Sequence, residues 1–157
     1  PAFDAVFGDS IWIDAEGRPL RTQREIPFNR FIWMYTYNYI PGMSMFWRRA
    51  IYEKVGGLDP EFDLAMDADL WIRIADHGRI AHLRRIWSRS RFYPAQKNRR
   101  LREQSDAEDR KIRARYWGTD RPRLLLVKRA VALAARVAWR TATFCYSLGY
   151  RRNLGRP

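Results

Sequence analysis

The 157-residue chain holds one cysteine and two histidines. Cys145 alone can form no intrachain disulfide. It suits a reducing compartment, and among its apolar neighbours it reads as an inert helix thiol. His77 and His82 stand on either side of Gly78 with no further ligand spacing, so they form no Cys/His metal cage and take structural roles. Apolar residues make up 46% of the chain, yet charges interrupt every apolar stretch before the ~20 residues of a membrane span. Repeats and low-complexity tracts are absent. Ser44 has no base partner in the sequence, which removes it as a nucleophile. There is no initiator Met and no signal peptide. Pro1–Asp4 runs straight into an apolar segment, the start expected of a cut through a larger fold.

Acidic residues are scarce in the second half. Residues 1–80 carry 9 Lys/Arg against 12 Asp/Glu, a net of −3, and residues 81–157 carry 21 against 5, a net of +16. Acidic chemistry therefore belongs early and a basic surface late. The asymmetry points the second half toward a polyanion: nucleic acid, anionic lipid or nucleotide phosphate.

What is present is a chain rich enough in aromatics, at 15%, for one domain with a real core. Val6–Ile13 reads as a strand and Asp14–Gly17 as a turn. Arg18–Ile26 reads as extended. The aromatic stretch Pro27–Tyr39 is ambiguous between a short helix and a loop, and its rings suit the wall of a binding site, a core or a membrane-facing surface. Met43–Trp47 is extended, and Arg48–Val55 is a helix closed by Gly56-Gly57. Asp67–His77 is the clearest short helix, with Leu70, Ile74 and His77 on one face and Gly78 as its stop. Arg79–Ile86 returns as a strand, Ser88–Arg102 is a basic loop, and Glu103–Trp117 is a charged helix. Residues 118–122 break it. The last helix, Arg123–Leu148, places Arg129, Arg136 and Arg140 on one face and Leu126, Leu133, Val137, Phe144 and Leu148 on another.

Asp67-Ala68-Asp69 sets two carboxylates where a loop becomes a helix. The bland reading is a pair of N-terminal capping acids. The chemical reading is a carboxylate kept ionised, with a low pKa, by the helix N-terminus. Such a group can take a proton from an attacking hydroxyl.

The surroundings favour the second reading. Val6-Phe7-Gly8-Asp9, Asp14-Ala15-Glu16-Gly17-Arg18, Met45-Phe46-Trp47-Arg48-Arg49, Val55-Gly56-Gly57-Leu58-Asp59 and Met66–Arg73 follow in this order. Together they resemble the second half of a family 2 glycosyltransferase with the GT-A fold, over residues 5–116. The resemblance implies an α/β fold: an incomplete GT-A (nucleotide-diphospho-sugar transferase) domain at 1–117, with a mixed sheet flanked by helices. A basic amphipathic helical tail follows at 118–157. It implies inverting transfer of a hexosyl group from a nucleotide-sugar donor to a glycan or lipid-linked acceptor, in cell-envelope polysaccharide synthesis. Asp67 would be the general base. Met66 departs from the acidic residue usual before it. Asp69 would orient the helix start or an acceptor hydroxyl, and Trp71 would pack in the core or stack on a sugar. The family's metal-binding Asp-x-Asp motif and nucleotide-binding half are expected upstream of Pro1. A divalent Mg or Mn ion is therefore expected in the whole enzyme and none on this stretch alone, which by itself should not bind nucleotide-sugar well.

Arg91-Phe92-Tyr93-Pro94-Ala95-Gln96-Lys97 resembles the family's loop after the last core strand. Tyr93 stands where His is usual, which removes a metal ligand and leaves a phosphate hydrogen-bonder. Arg91 and Lys97 would hold leaving phosphate, or the loop is simply solvated. The final helix and Tyr150–Arg156 would lie on an anionic membrane at the cytoplasmic face, or pack back with a solvated basic face. Two non-catalytic alternatives remain open. One is a basic nucleic-acid-binding module, prompted by Arg85–Tyr93 but leaving the earlier motifs unexplained. The other is a membrane-surface module.

Overall fold

The computed structural model describes residues 2–117 and 121–143. The fold is mixed α/β, a four-stranded sheet flanked by helices. The central strand β1 (Ala5–Ile13) uses both of its edges. On one edge, β2 (Pro19–Gln23) and β3 (Met45–Trp47) both run antiparallel to it, β2 against Ser10–Ile13 and β3 against Ala5–Phe7. On the other, β4 (Ile80–Arg91) runs parallel along its whole length, from Ala5↔Ile80 to Ile13↔Arg91.

The long β4 corrects the expected strand end at Ile86 and the loop from Ser88. Its basic residues are ladder residues as far as Arg91, because pairing with β1 fixes their backbone whatever the side chains prefer. The register slips from Gly8↔Leu83 to Asp9↔Ile86, so β4 bulges here. Gly8 makes room for the bulge: a Cβ there would sit 2.7 Å from the Arg85 carbonyl oxygen and from the Trp87 ring.

The aromatic stretch resolves into α1 (Arg30–Tyr35), whose first turn is capped by Asn29 Oδ1 accepting from Ile32 N. A 3-10 turn, Gly42–Ser44, leads into β3, and α2 (Arg49–Lys54) ends at Gly56 and Gly57, both at positive φ. Next, α3 (Met66–His77) buries Leu70, Trp71, Ile72 and Ile74. Its expected inner face holds at Leu70 and Ile74, but His77 at its last turn is exposed. A short turn, α4 (Lys97–Arg100), precedes α5 (Arg102–Trp117). The core joins Phe7, Ile26, Trp33, Met34, Tyr39, Leu70, Trp71 and Ile112 from β1, α1, α3 and α5 and their connections.

The last helix, α6 (Pro122–Ala142), opens with Pro at its first position. Phe144, Cys145 and Leu148 lie outside the described residues. The helix packs back on α1, and of the expected solvated basic face only Arg129 is exposed, while Arg136 and Arg140 turn inward. Arg136 is buried, and its Nη2 donates to Glu25 Oε2 at 2.8 Å. Arg140 Nη1 donates to the same carboxylate at 2.9 and 3.0 Å. Lys128 Nζ donates to the Tyr35 hydroxyl, and the Arg136 guanidinium lies over the Tyr37 ring. Leu126, Leu133 and Val137 face outward instead. The cause is Glu25, which is 3% exposed. Burial pushes its carboxyl above the ordinary value even against the attraction of Arg136 and Arg140. A buried carboxylate without a cation costs far more than exposed aliphatic side chains.

Candidate functional site

A cleft of about 680 Å³ opens where the C-terminal ends of β1 and β4 meet α3 and α5. Asp67, second residue of α3, lines it. No side chain of the preceding residues caps this helix. The capping anion comes instead from α5: Glu108 Oε2 accepts from the backbone N–H groups of Asp63, Leu64 and Ala65 at 3.1, 2.8 and 2.9 Å. What burial Glu108 has raises its carboxyl, but these donors win and hold it below the ordinary value. The loop that delivers Asp67 is thereby tied to a helix that begins more than thirty residues later.

The Asp67 carboxylate accepts from Ala68 N at 2.7 Å through Oδ1 and from Asn38 Nδ2 at 3.4 Å through Oδ2. Gly42 leaves it space, since a Cβ there would approach Oδ2 to 3.0 Å. Burial pushes the Asp67 carboxyl above its ordinary value, with the Ala68 and Asn38 hydrogen bonds opposing. This corrects the expectation that the helix N-terminus would hold it low. The helix dipole and two hydrogen bonds do not replace the water removed from this partly buried oxygen pair. A raised carboxyl is a better proton acceptor than an ordinary one.

Across the cleft stand cations and rings. Arg91 lines it while its Nη1 donates to the backbone carbonyls of Asp14 and Ala15, which aims the guanidinium from the end of β4. Arg99 and Arg102 line it too, Arg99 lying 4.4 Å over the Phe92 ring and Arg102 facing Asp106 at 3.7 Å. Phe92 stacks on Trp12 at 4.5 Å, and Arg21 covers the Trp12 ring at 3.6 Å. Gln23 Oε1 accepts from Trp12 Nε1 at 2.6 Å and fixes the indole edge. The wall is thus a flat aromatic pair held between two guanidinium groups.

The other expected site residues lie elsewhere. Asp69 is fully buried and does not line the cleft. Its Oδ2 accepts from Arg73 Nε at 2.8 Å, and Arg73 Nη1 donates to the carbonyls of Val55 and Gly57 at 2.6 and 2.7 Å. Asp69 therefore holds the arginine that clamps the Gly56-Gly57 turn. Trp71 is 2% exposed and packs beside Trp47, with ring centroids 5.3 Å apart, so its face is not open to a sugar. Lys97 Nζ is engaged by the Asp63 carboxylate at 2.8 and 2.9 Å. Tyr93 is half-buried, and neither it nor Lys97 lines the cleft, although Gln96 does. His82 is a structural histidine, its Nε2 3.0 Å from Asp9 Oδ1 and its ring stacked on Phe7.

Trp12, Arg99 and Arg102 were not among the expected site residues, and Phe92 stood only inside the Arg91–Lys97 motif. Strand alternation held a signal for the first: Ile13 points into the core, so Trp12 must face the other way, opposite Arg21 across the β1–β2 pair.

Among the described residues no three His, Cys, Asp or Glu side chains converge as a metal cage. The cleft's carboxylates, Asp67 and Asp106, stand among guanidinium groups. This donor set does not fit a resident divalent cation. Comparison with protein-family models finds no match, and comparison with curated proteins finds none.

Proposed function

We propose that the chain is the acceptor-side part of an inverting GT-A glycosyltransferase, with Asp67 as general base. The observation that carries this reading is a carboxyl with raised proton affinity, set at a helix start inside a cleft that also holds three arginines and a stacked aromatic pair. The ordered motifs through residue 116 support the family.

In the reaction, Asp67 takes the proton of an acceptor hydroxyl as that oxygen bonds to the anomeric carbon of the donor sugar. The carbon–oxygen bond to the nucleoside diphosphate breaks from the opposite face, and its electron pair leaves with the diphosphate. Asn38 and Gly42 keep Asp67 oriented. Arg91, Arg99 and Arg102 supply fixed positive charge toward the leaving anion. Trp12 and Phe92 reach the cleft by their ring edges, since their faces are covered by each other, by Arg21 and by Arg99.

The test is turnover of nucleotide-sugar by a polypeptide carrying this chain together with the donor-binding half that the resemblance implies. Asp67→Asn should lower transfer by at least about a thousandfold with nucleotide binding retained. Near-wild-type turnover would sink the assignment. Salt-sensitive binding of single-stranded oligonucleotides in the cleft, without sugar transfer, would favour the nucleic-acid reading.

A further inference from the structure

The α6 helix is amphipathic in the inverted sense. Its charged residues Arg136 and Arg140 turn inward to Glu25, while Leu124, Leu126, Val127, Val131, Leu133 and Val137 are each 45–66% exposed. Ala130 and Ala134 fill the gaps between them. The helix cannot roll to hide this face, because rolling would pull Arg136 and Arg140 away from the buried Glu25 carboxylate. The exposed ridge is therefore a fixed feature of the fold.

We infer that this ridge lies in the interface of an anionic lipid bilayer, parallel to the membrane plane. Two observations choose lipid over protein. The ridge is made of Leu, Val and Ala, with none, among the described residues, of the exposed aromatic anchors that carry protein interfaces. Its charge is of one sign: residues 121–157 contain no Asp or Glu, exposed Arg121 and Arg123 stand at the start of the ridge, and exposed Arg129 borders it. An apolar face bordered by arginines suits acyl chains beneath anionic headgroups. Twenty-one residues span about 30 Å along the surface. No helix of the described residues is long and apolar enough to cross a membrane, so the helix lies on the bilayer. The inference stands on α6 alone and holds whether or not the cleft transfers sugar.

The experiment is vesicle flotation of the whole chain. Vesicles of equal parts phosphatidylglycerol and phosphatidylcholine should carry the protein up the gradient, and pure phosphatidylcholine should carry much less. The exposed pair Leu126→Glu/Val137→Glu should weaken binding at least about tenfold, with an unchanged circular-dichroism spectrum. Replacing Arg121, Arg123 and Arg129 by Ser should weaken it about fivefold per cation at low salt. A nitroxide on Val127→Cys in a Cys145→Ser background should become shielded from an aqueous relaxant when anionic vesicles are added, a readout that needs no disruptive change. Failure to float on anionic vesicles, equal flotation of the Glu pair or an unshielded nitroxide overturns the inference. So does concentration-dependent self-association through this face without lipid binding, which would assign the ridge to a second copy of the chain.

Discussion

Asp67 and Asp69 point to opposite sides of one helix turn: Asp67 lines the cleft, and Asp69 is fully buried with its Oδ2 2.8 Å from Arg73 Nε. The two carboxylates therefore fail differently when altered. Asp69→Asn leaves Arg73 without its counter-charge and should cost about 3 kcal/mol of stability, read as a shift in the urea midpoint. If Asp69 served substrate instead, the midpoint would hold and only turnover would fall.

Asp67→Asn should do the reverse. Burial raises the folded-state carboxyl above its unfolded value, so the folded protein holds that proton more tightly. Wild-type stability from this group is present below the ordinary carboxylate range and is lost as pH rises through the raised value. The Asn variant escapes that loss. Its melting temperature should match wild type in acid and exceed it at neutral pH, in paired thermal melts across pH.

For the proposed transfer, the same raised carboxyl would set the pH dependence. Activity should fall as pH drops through the Asp67 value, at a higher pH than an unperturbed Asp would give. NMR titration of a labelled Asp67 carboxyl carbon should follow the same curve. A titration at the ordinary value would remove burial as the cause.

Glu108→Ala should loosen the start of α3 without touching the cleft. Three backbone N–H groups, of Asp63, Leu64 and Ala65, lose their acceptor. The loss should be about 1–2 kcal/mol, with hydrogen-exchange protection falling at those three amides first. Glu108→Gln keeps an acceptor oxygen and should recover part of it.

Trp12→Ala should weaken oligosaccharide binding about tenfold or more, while Trp71→Phe should leave binding unchanged and alter only stability. Saturation-transfer NMR with free glycans separates the two. The distinction follows from Trp12 lining the cleft and Trp71 being 2% exposed.

The elements most legible in the sequence were those with local signals. The start of β1, the Gly56-Gly57 stop and the boundaries of α3 and α5 follow from alternation, glycine and helical spacing. Asp67 was legible from its motif neighbours, and the structure places it in the cleft with Arg91. What could not be read were partnerships made at a distance. Glu108 meets the Asp63–Ala65 amides across more than forty positions, and Glu25 meets Arg136 across 111. Helical periodicity separates the faces of α6 but does not say which one is inside. That was decided by a single buried acid in another segment, and polar residues won the interior against the hydrophobic pattern. Of the two readings each of Trp71 and Asp69 allowed, burial favours the structural one, which ring and charge alone could not decide.

The Glu25 contacts also bear on where the polypeptide can be cut. A division at residues 118–120 would separate a motif-bearing body from a basic tail, the natural choice for anyone trimming the protein for expression. Removing residues 121–157 would take Arg136 and Arg140 with it and uncover the Glu25 carboxylate that they now meet. The trimmed body would inherit a fault it does not have when whole. Any loss of solubility on trimming would then belong to the apolar surface that α6 covers on α1 and the core, and Glu25→Gln should not restore it.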